Sequence, residues 1–559
     1  MPFSTFALFL AVGAGAGCKG ETEDEGGDEA ASEESGTEDT ETDTGEESDT
    51  GEPPETGPCF DGLERWEWDA SADHIGYDLP ATDFTVETLR GPKTFSEIWN
   101  GCDNHVFVMY SANWWSTPIE PLIDDAAENT HFWFVVPSDS ADFDNDMRAA
   151  LVGQIAQRVE GHLESLGPEV QAAKTDTFHY VIDSGLDIPA VQGILATNPN
   201  EEHFTIGRHQ KIWEGHNVAV AASGSWIPLL EQTRWWSRYI NYWYGLEAEL
   251  AEEAESPDVL VHRVADAVEI KGGEPYTWTL PDAATMAEYD RLEVDMFIDC
   301  PGVGHPYVAT CGEWDTVGSI FLCEDAECEG DRRRVIKWIT PYSAPGRWVI
   351  DITPELLELA AGGELTFISA HGDNNVGQYT YRYTVDFRFS KAEDGLRPIG
   401  KAELIPRGGY GWNENYHANW PEGFSFTAPE GTQRTELYAR ISGHGAVEGS
   451  QCAEFCSFTH EFSVNGTPFA HQYVQENVDR CAMLTDEGVT PNQGGTWFYD
   501  RSSWCPGWVI EEWREDLSSA VEVGAENSVA YDSWWGINNP TPPPGGNMDA
   551  RVEVVFYGE

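Results

Sequence analysis

The run YTYRYTVDFRFS, residues 379–390, sets Tyr379, Tyr381, Tyr383, Val385, Phe387 and Phe389 against Thr380, Arg382, Thr384, Asp386 and Arg388. Alternation of period two sustained over twelve residues fits no helix, whose apolar positions recur at three and four. It demands a strand with one buried face. RLEVDMFID (291–299) repeats the pattern with Leu292, Val294, Met296 and Ile298, and ARVEVVFYG (550–558) carries it to the C-terminus. Residues 258–398 and 399–559 are therefore expected to form two antiparallel β-sandwiches with long loops.

Upstream the periodicity differs. HVFVMYSANWW (105–115) and HFWFVVP (131–137) read as buried strands, whereas residues 146–166 and 229–255 place apolar residues at helical spacing. Residues 59–257 are thus expected to form an α/β domain. The order DFTVETLRGPKTFSEIWNGCDNHVFVMYSANWW resembles that of thioredoxin-like proteins. Where those carry a reactive C-x-x-C pair, this chain has Trp115, Ser116, Thr117 and Pro118, so the resemblance implies the scaffold without a thiol nucleophile. The 23 tryptophans are expected mainly in cores and packing surfaces.

The formal net charge is −67, and residues 20–57 hold seventeen Asp or Glu with no Lys or Arg. Such a segment cannot bury enough apolar area to fold and is expected to be a self-repelling spacer, placed here at 18–58. About −50 remains on the rest of the chain, which disfavours nucleic acid or an anionic membrane surface as partner. Residues 1–17, MPFSTFALFLAVGAGAG, form a short apolar run ending in small residues with Cys18 directly after. They resemble a bacterial lipoprotein signal with Cys18 as the acylated residue. This implies an exported protein of the cell envelope or outer-membrane surface, held to a membrane by its lipid alone, with a plain secretory signal and a secreted protein as the alternative; a monomer is expected.

Ten further cysteines, an even number, suit an oxidising compartment. Cys300 with Cys311, Cys323 with Cys328 and Cys452 with Cys456 are the sequence-near pairs. Cys481 with Cys505 and Cys59 with Cys102 follow by elimination. A zinc cluster is the rival reading, but the pairs lack two-residue spacing and no histidine cluster accompanies them.

Two of these cysteine loops hold carboxylates. VATCGEWDTVG (308–318) brings Trp314 and Asp315 next to Cys311, and QCAEFCSFTH (451–460) puts Glu454 between Cys452 and Cys456. The surrounding runs are MFIDCPG, CGEWD, RRVIKWITPYSAPGRWVIDIT, ELTFISA, YTVDFRF, ISGHG, CAEFCSFTHEFSVNGTPFAHQ and DRSSWCPG. In order and spacing, over roughly residues 260–559, they are similar to the peptide:N-glycosidase F family. The resemblance implies two eight-stranded jelly rolls side by side, with an active site in the cleft between them and no cofactor. It implies hydrolysis of the amide between an N-glycan and asparagine in glycoproteins or glycopeptides. Asp315 would be the principal carboxylate, Glu454 its partner, and Arg501 a cleft residue. Trp314 offers a sugar-stacking face, and His371 and His444 are candidate substrate contacts.

That chemistry suits the residue types. An amide is a poor electrophile, so one carboxylate must activate water while an acid protonates the departing nitrogen. Two carboxylates in a partly buried cleft have their pKa values pushed apart, which separates the two roles. The chain departs from the family at two positions: a family glutamate corresponds to Ala370, with His371 or Asp373 as the candidate replacement, and a family arginine corresponds to Thr316. Two other functions compete. One is a non-catalytic glycan- or glycopeptide-binding protein on the same scaffold. The other is a copper monooxygenase of paired jelly-roll architecture, for which the scattered histidines, His460 and His471 included, make a poor ligand set.

Overall fold

The computed structural model describes residues 58–559 apart from 77–78, 111–117, 141, 198, 200–202, 215–228, 300–311, 313, 343, 372–379, 446–451, 475–479, 492, 494–495, 500 and 536–545. The leader 1–17 with Cys18 and nearly all of the acidic stretch lie outside these residues, as do Trp115, Ser116, Thr117, Cys300, Cys311 and Asp373. Residues Thr56–Glu559 form one compact unit.

The α/β domain opens with a hairpin of β1 (Thr85–Thr88) and β2 (Gly91–Thr94). A mixed sheet follows, made of β3 (Asn104–Met109), β4 (Thr130–Val135), β5 (Phe178–Tyr180), β6 (His203–Ile206) and β7 (Ile212–Glu214) in the order β5-β4-β3-β6-β7. Strands β3, β4 and β5 are parallel, β6 pairs antiparallel with β3, and β7 pairs antiparallel with β6. Both faces are covered, which is why β3 and β4 read as unbroken apolar runs. Val106, Val108, Phe132 and Phe134 pack on the helix Asn145–Leu166. Phe107, Met109, Trp133 and Val135 pack towards Val191 and Ile194 of the helix Pro189–Thr197. Asp144 caps the first of these helices by accepting the Met147 amide. Cys59 and Cys102 are disulfide-bonded.

The remainder is two jelly rolls. The first contains β8 (Val259–Lys271), β9 (Pro275–Asp282), β10 (Arg291–Asp299), β11 (Val317–Cys323), β12 (Arg332–Ile339), β13 (Gly346–Asp351), β14 (Gly362–His371) and β15 (Thr380–Ser390). Its sheets are β13-β10-β15-β8 and β12-β11-β14-β9. The second contains β16 (Arg397–Gly411), β17 (Phe424–Thr427), β18 (Arg434–His444), β19 (Phe458–Val464), β20 (Thr467–Tyr473), β21 (Glu512–Asp516), β22 (Glu526–Trp535) and β23 (Asn547–Gly558), in sheets β16-β23-β18-β21 and β17-β22-β19-β20. In each, the first strand pairs with the eighth and the second with the seventh, the closure that wraps a jelly roll. Between the sandwiches, Arg334 on β12 binds Asp549 on β23 through both amino groups, at 2.6 and 2.9 Å, and Arg440 on β18 donates to the buried Glu355 at 2.8 Å.

Period-two alternation holds on the inner faces. Tyr381, Tyr383, Val385, Phe387 and Phe389 all enter the first core. Arg388, on the opposite face of β15, is nevertheless buried, because the helix Leu229–Ala254 lies across that face. Its guanidinium donates to the Leu250 carbonyl at 2.8 Å and to Glu253 at 2.9 Å.

The expectation that His371 faces the cleft is overturned. His371 ends β14 with the parity of Phe367, so its ring points into the first core. Nε2 lies 2.6 Å from the Tyr383 hydroxyl and the ring packs on Tyr381. Burial holds its pKa down at about 3, so it is neutral.

Candidate active site

A cleft of about 850 Å³ opens between the facing sheets of the two jelly rolls. Trp314, Asp315 and Ala370 line it from the first sandwich, and His444, Glu454 and Trp504 from the second half of the chain. Trp314 is 59% exposed, a bare indole face at the rim.

Asp315 sits just before β11 on a turn held by one threonine. The Thr316 amide donates to Thr340 Oγ1 at 2.9 Å, and that hydroxyl donates to the Trp314 carbonyl at 2.8 Å. Thr316 thus serves the turn that aims its neighbour. The Gly312 amide, donating to the Tyr381 hydroxyl at 2.9 Å, ties the preceding residues to the core. Glu454 lies on a one-turn helix, Cys452–Phe455. Its backbone carbonyl accepts the Ser502 amide at 3.0 Å, and its Oε2 accepts the Gly445 amide at 3.1 Å. Cys456 is disulfide-bonded, and the Cys452 side chain lies outside the described residues. Two further sequence-near or distant pairs, Cys323–Cys328 and Cys481–Cys505, are bonded.

Arg501 joins the two carboxylates. Only 1% exposed, it donates from Nε to Glu454 Oε1 at 3.0 Å and from Nη2 to Asp315 Oδ2 at 3.1 Å. Nε and Nη2 form one edge of the guanidinium, so residues 139 positions apart meet across the width of a single planar group. Its remaining donors reach the Thr496 and Tyr499 carbonyls at 3.2 and 3.0 Å and the Tyr342 hydroxyl at 3.1 Å. The cation also stacks on Phe455 and Trp504, 5.2 and 4.9 Å from the ring centroids. Arg501 is therefore a fixed brace between the acids, with its donors already engaged.

Both acids are held above their ordinary pKa values. Burial is the main cause for Asp315, opposed by the Arg501 charge and by a hydrogen bond from Tyr342. For Glu454 burial again leads, Arg501 opposes, and the charge of Asp315 raises it further. The carboxylates are 14% and 15% exposed, so water reaches each from the cleft side.

His444 lines the cleft, its ring 4.9 Å from that of Trp504, with Nε2 2.7 Å from Ser442 Oγ. Burial holds it neutral, with a pKa of about 3. His460 and His471 stand apart from this site, the first buried against the Tyr531 hydroxyl at 2.6 Å, the second paired with Glu511 at 3.0 Å. Among the described residues no group of three or more His, Cys, Asp or Glu could hold a metal ion. Tyr342 and Thr340 carry no acid or base signature in the sequence, and only the fold reveals them as supports of Asp315.

Residues 412–557 match the family described as peptide-N-glycosidase F, C-terminal. This segment is similar to the C-terminal part of peptide-N-glycosidase F. A solved structure of a peptide-N(4)-(N-acetyl-β-D-glucosaminyl) asparagine amidase is 20% identical and covers 54% of this chain and 96% of its own, with a TM-score of 0.41. PNGase F from Flavobacterium meningosepticum, described as a glycosylasparaginase, gives the same identity and coverage with a TM-score of 0.40. PNGF-II is 10% identical over 55% of this chain and 68% of its own, with a TM-score of 0.36. No curated protein matches the chain. At these scores the jelly-roll order rests on the strand pairing itself.

Proposed function

We propose that the protein is an exported glycoamidase that hydrolyses the amide between an N-glycan and asparagine. The observation that carries this reading is the Asp315–Arg501–Glu454 bridge at the wall of the inter-sandwich cleft. Asp315, which accepts hydrogen bonds from a cation and a phenol, is the acid better kept ionised, and it takes a proton from water as the water oxygen adds to the amide carbon. Glu454, raised by burial and also by the charge of Asp315, keeps a proton more readily and gives it to the departing nitrogen as the carbon–nitrogen bond breaks. The products are aspartate in the peptide and a glycosylamine, which loses ammonia in water to give the free glycan. Trp314 offers its exposed face to a sugar ring. Export and membrane attachment through acylated Cys18 belong to the same proposal, and Cys18→Ser would leave the protein out of the membrane fraction.

The test is incubation of a defined N-glycopeptide in water enriched in oxygen-18. Free glycan together with one heavy oxygen in the aspartate side chain supports the reading. Intact glycopeptide under all conditions contradicts it. Ala370, which brings no carboxylate to the cleft wall, favours the second reading, a glycan-binding protein without turnover. Saturable binding of intact glycopeptide without release would establish that reading in its place.

A further inference from the structure

The cleft contains a second electrostatic neighbourhood. The charges acting on Glu454 are those of Arg501 and Asp315, whereas Arg407, on β16, feels Arg334, Asp549, Arg332 and Arg551. Arg334 and Lys337 share the one carboxylate there, that of Asp549. Both oxygens of Asp549 are taken, Oδ1 by Arg334 at 2.6 Å and Lys337 at 2.9 Å, and Oδ2 by Arg334 at 2.9 Å. Arg407 is left without an ion pair or hydrogen bond among the described residues, although the chain has 98 acidic side chains for 31 basic ones.

Its position is nonetheless defined. The guanidinium lies 4.9 Å from the centroid of Phe321, a ring that Arg334 also approaches at 5.8 Å. Phe321 packs against Ala370, and Ala370 is paired in register with Ser319 on β11. Ser319, Ala370 and the glycines at 408 and 409 all line the cleft beside Arg407, and a side chain added at Gly409 would meet nothing within 4 Å. The result is a space bounded by a methyl group, a hydroxyl group and an uncommitted planar cation, chemistry suited to an oxyanion. Arg407, Asp315 and Glu454 line the same cleft of about 850 Å³, the size of a small-molecule site, so a glycan whose amide sits at the two acids shares that space with Arg407.

We propose that Arg407, stacked on Phe321 beside Ser319 and Ala370, forms a subsite for an acidic substituent on an inner sugar of the glycan. The shared chemistry is a sulfate ester, a phosphate ester or a carboxylate. The subsite makes the protein selective for acidic N-glycans, an inference that rests on the glycoamidase reading for its consequence in turnover.

The experiment compares kcat/KM of the wild type and of Arg407→Gln on matched glycopeptides. One is neutral, and the others carry a single sulfate, phosphate or uronic acid on the inner sugars. Arg407 is exposed, and an unchanged melting temperature checks that the variant is folded. The wild type is expected to prefer one acidic substrate by roughly tenfold or more through KM, less at high salt, and the ratio is expected to fall below about twofold in the variant. The acid giving the largest ratio identifies the group. An absent preference, or one that Arg407→Gln retains, overturns the proposal. If no glycopeptide is cleaved, the glycoamidase reading fails by itself, and calorimetry with the same acidic and neutral glycans, free in solution, decides the subsite. Binding of an acidic glycan that Arg407→Gln loses upholds it, and equal or absent binding overturns it.

Discussion

At the scale of single residues, the account turns on what Arg501 does to two acids. Its planar fork donates to both from one edge, which a lysine ammonium on a flexible stem cannot reproduce. Arg501→Lys is expected to lower glycan release by about 100-fold or more and to move the acid limb of kcat/KM to higher pH, because the charge stays but the paired guanidinium hydrogen bonds that help oppose the upward shift of both carboxylates are lost. A pH–rate profile checks both effects, and an unmoved limb would show that Arg501 braces only the loop. Tyr342→Phe removes one hydrogen bond from Asp315 and is expected to shift that limb upward by less, with KM unchanged. That Asp315 and Glu454 line one cleft was legible in the sequence because rare motifs carry them. His371 was misplaced although the strand itself held the answer: residues 367, 369 and 371 share a face, and Phe367 is apolar. Tyr342 was illegible, since its partner lies 27 positions away across a fold-dependent contact.

Among the elements, the helix Leu229–Ala254 ties the α/β domain to the site. Its Asn241 accepts from Asn104 on β3 at 2.8 Å, while Trp235 belongs to the cluster that also contains Tyr342, Trp497 and the Cys481–Cys505 disulfide. The rings of Trp235 and Trp497 meet edge to face at 5.5 Å. Trp235→Ala is expected to cost about 3–5 kcal/mol of stability, seen as a lower urea midpoint, and to reduce glycan release by loosening the loop that holds Arg501. Trp235→Phe, which keeps an aromatic ring, is expected to restore most of both. The strands and this helix could be read from periodicity alone. The burial of Arg388 could not, because the residues covering it lie 135 and 138 positions away in sequence.

For the whole molecule, the titration of buried histidines sets the response to acid. His179 is held at about 2, His203, His371, His444 and His460 at about 3, and His105 well below its ordinary value, in each case chiefly by burial. Below about pH 6.5 the unfolded chain binds protons at these rings and the folded chain does not, so stability falls as pH falls, by up to about 1.4 kcal/mol per pH unit for each. The raised carboxylates Asp315, Glu454, Glu293 and Glu436 act in the opposite sense as pH falls from their raised values towards the ordinary carboxylate range. Urea unfolding at pH 7 and pH 5 is expected to show the lower midpoint at pH 5, and an equal or higher midpoint there would contradict the neutral-histidine account. The central claim, that the cleft hydrolyses the glycan–asparagine amide through Asp315, is tested most directly by glycan release from a denatured glycoprotein with the wild type and with Asp315→Asn, a nearly isosteric change that removes the base. Release by the wild type and a loss of about 1,000-fold or more in the folded variant is the predicted result; equal release by both, or none by either, would contradict it.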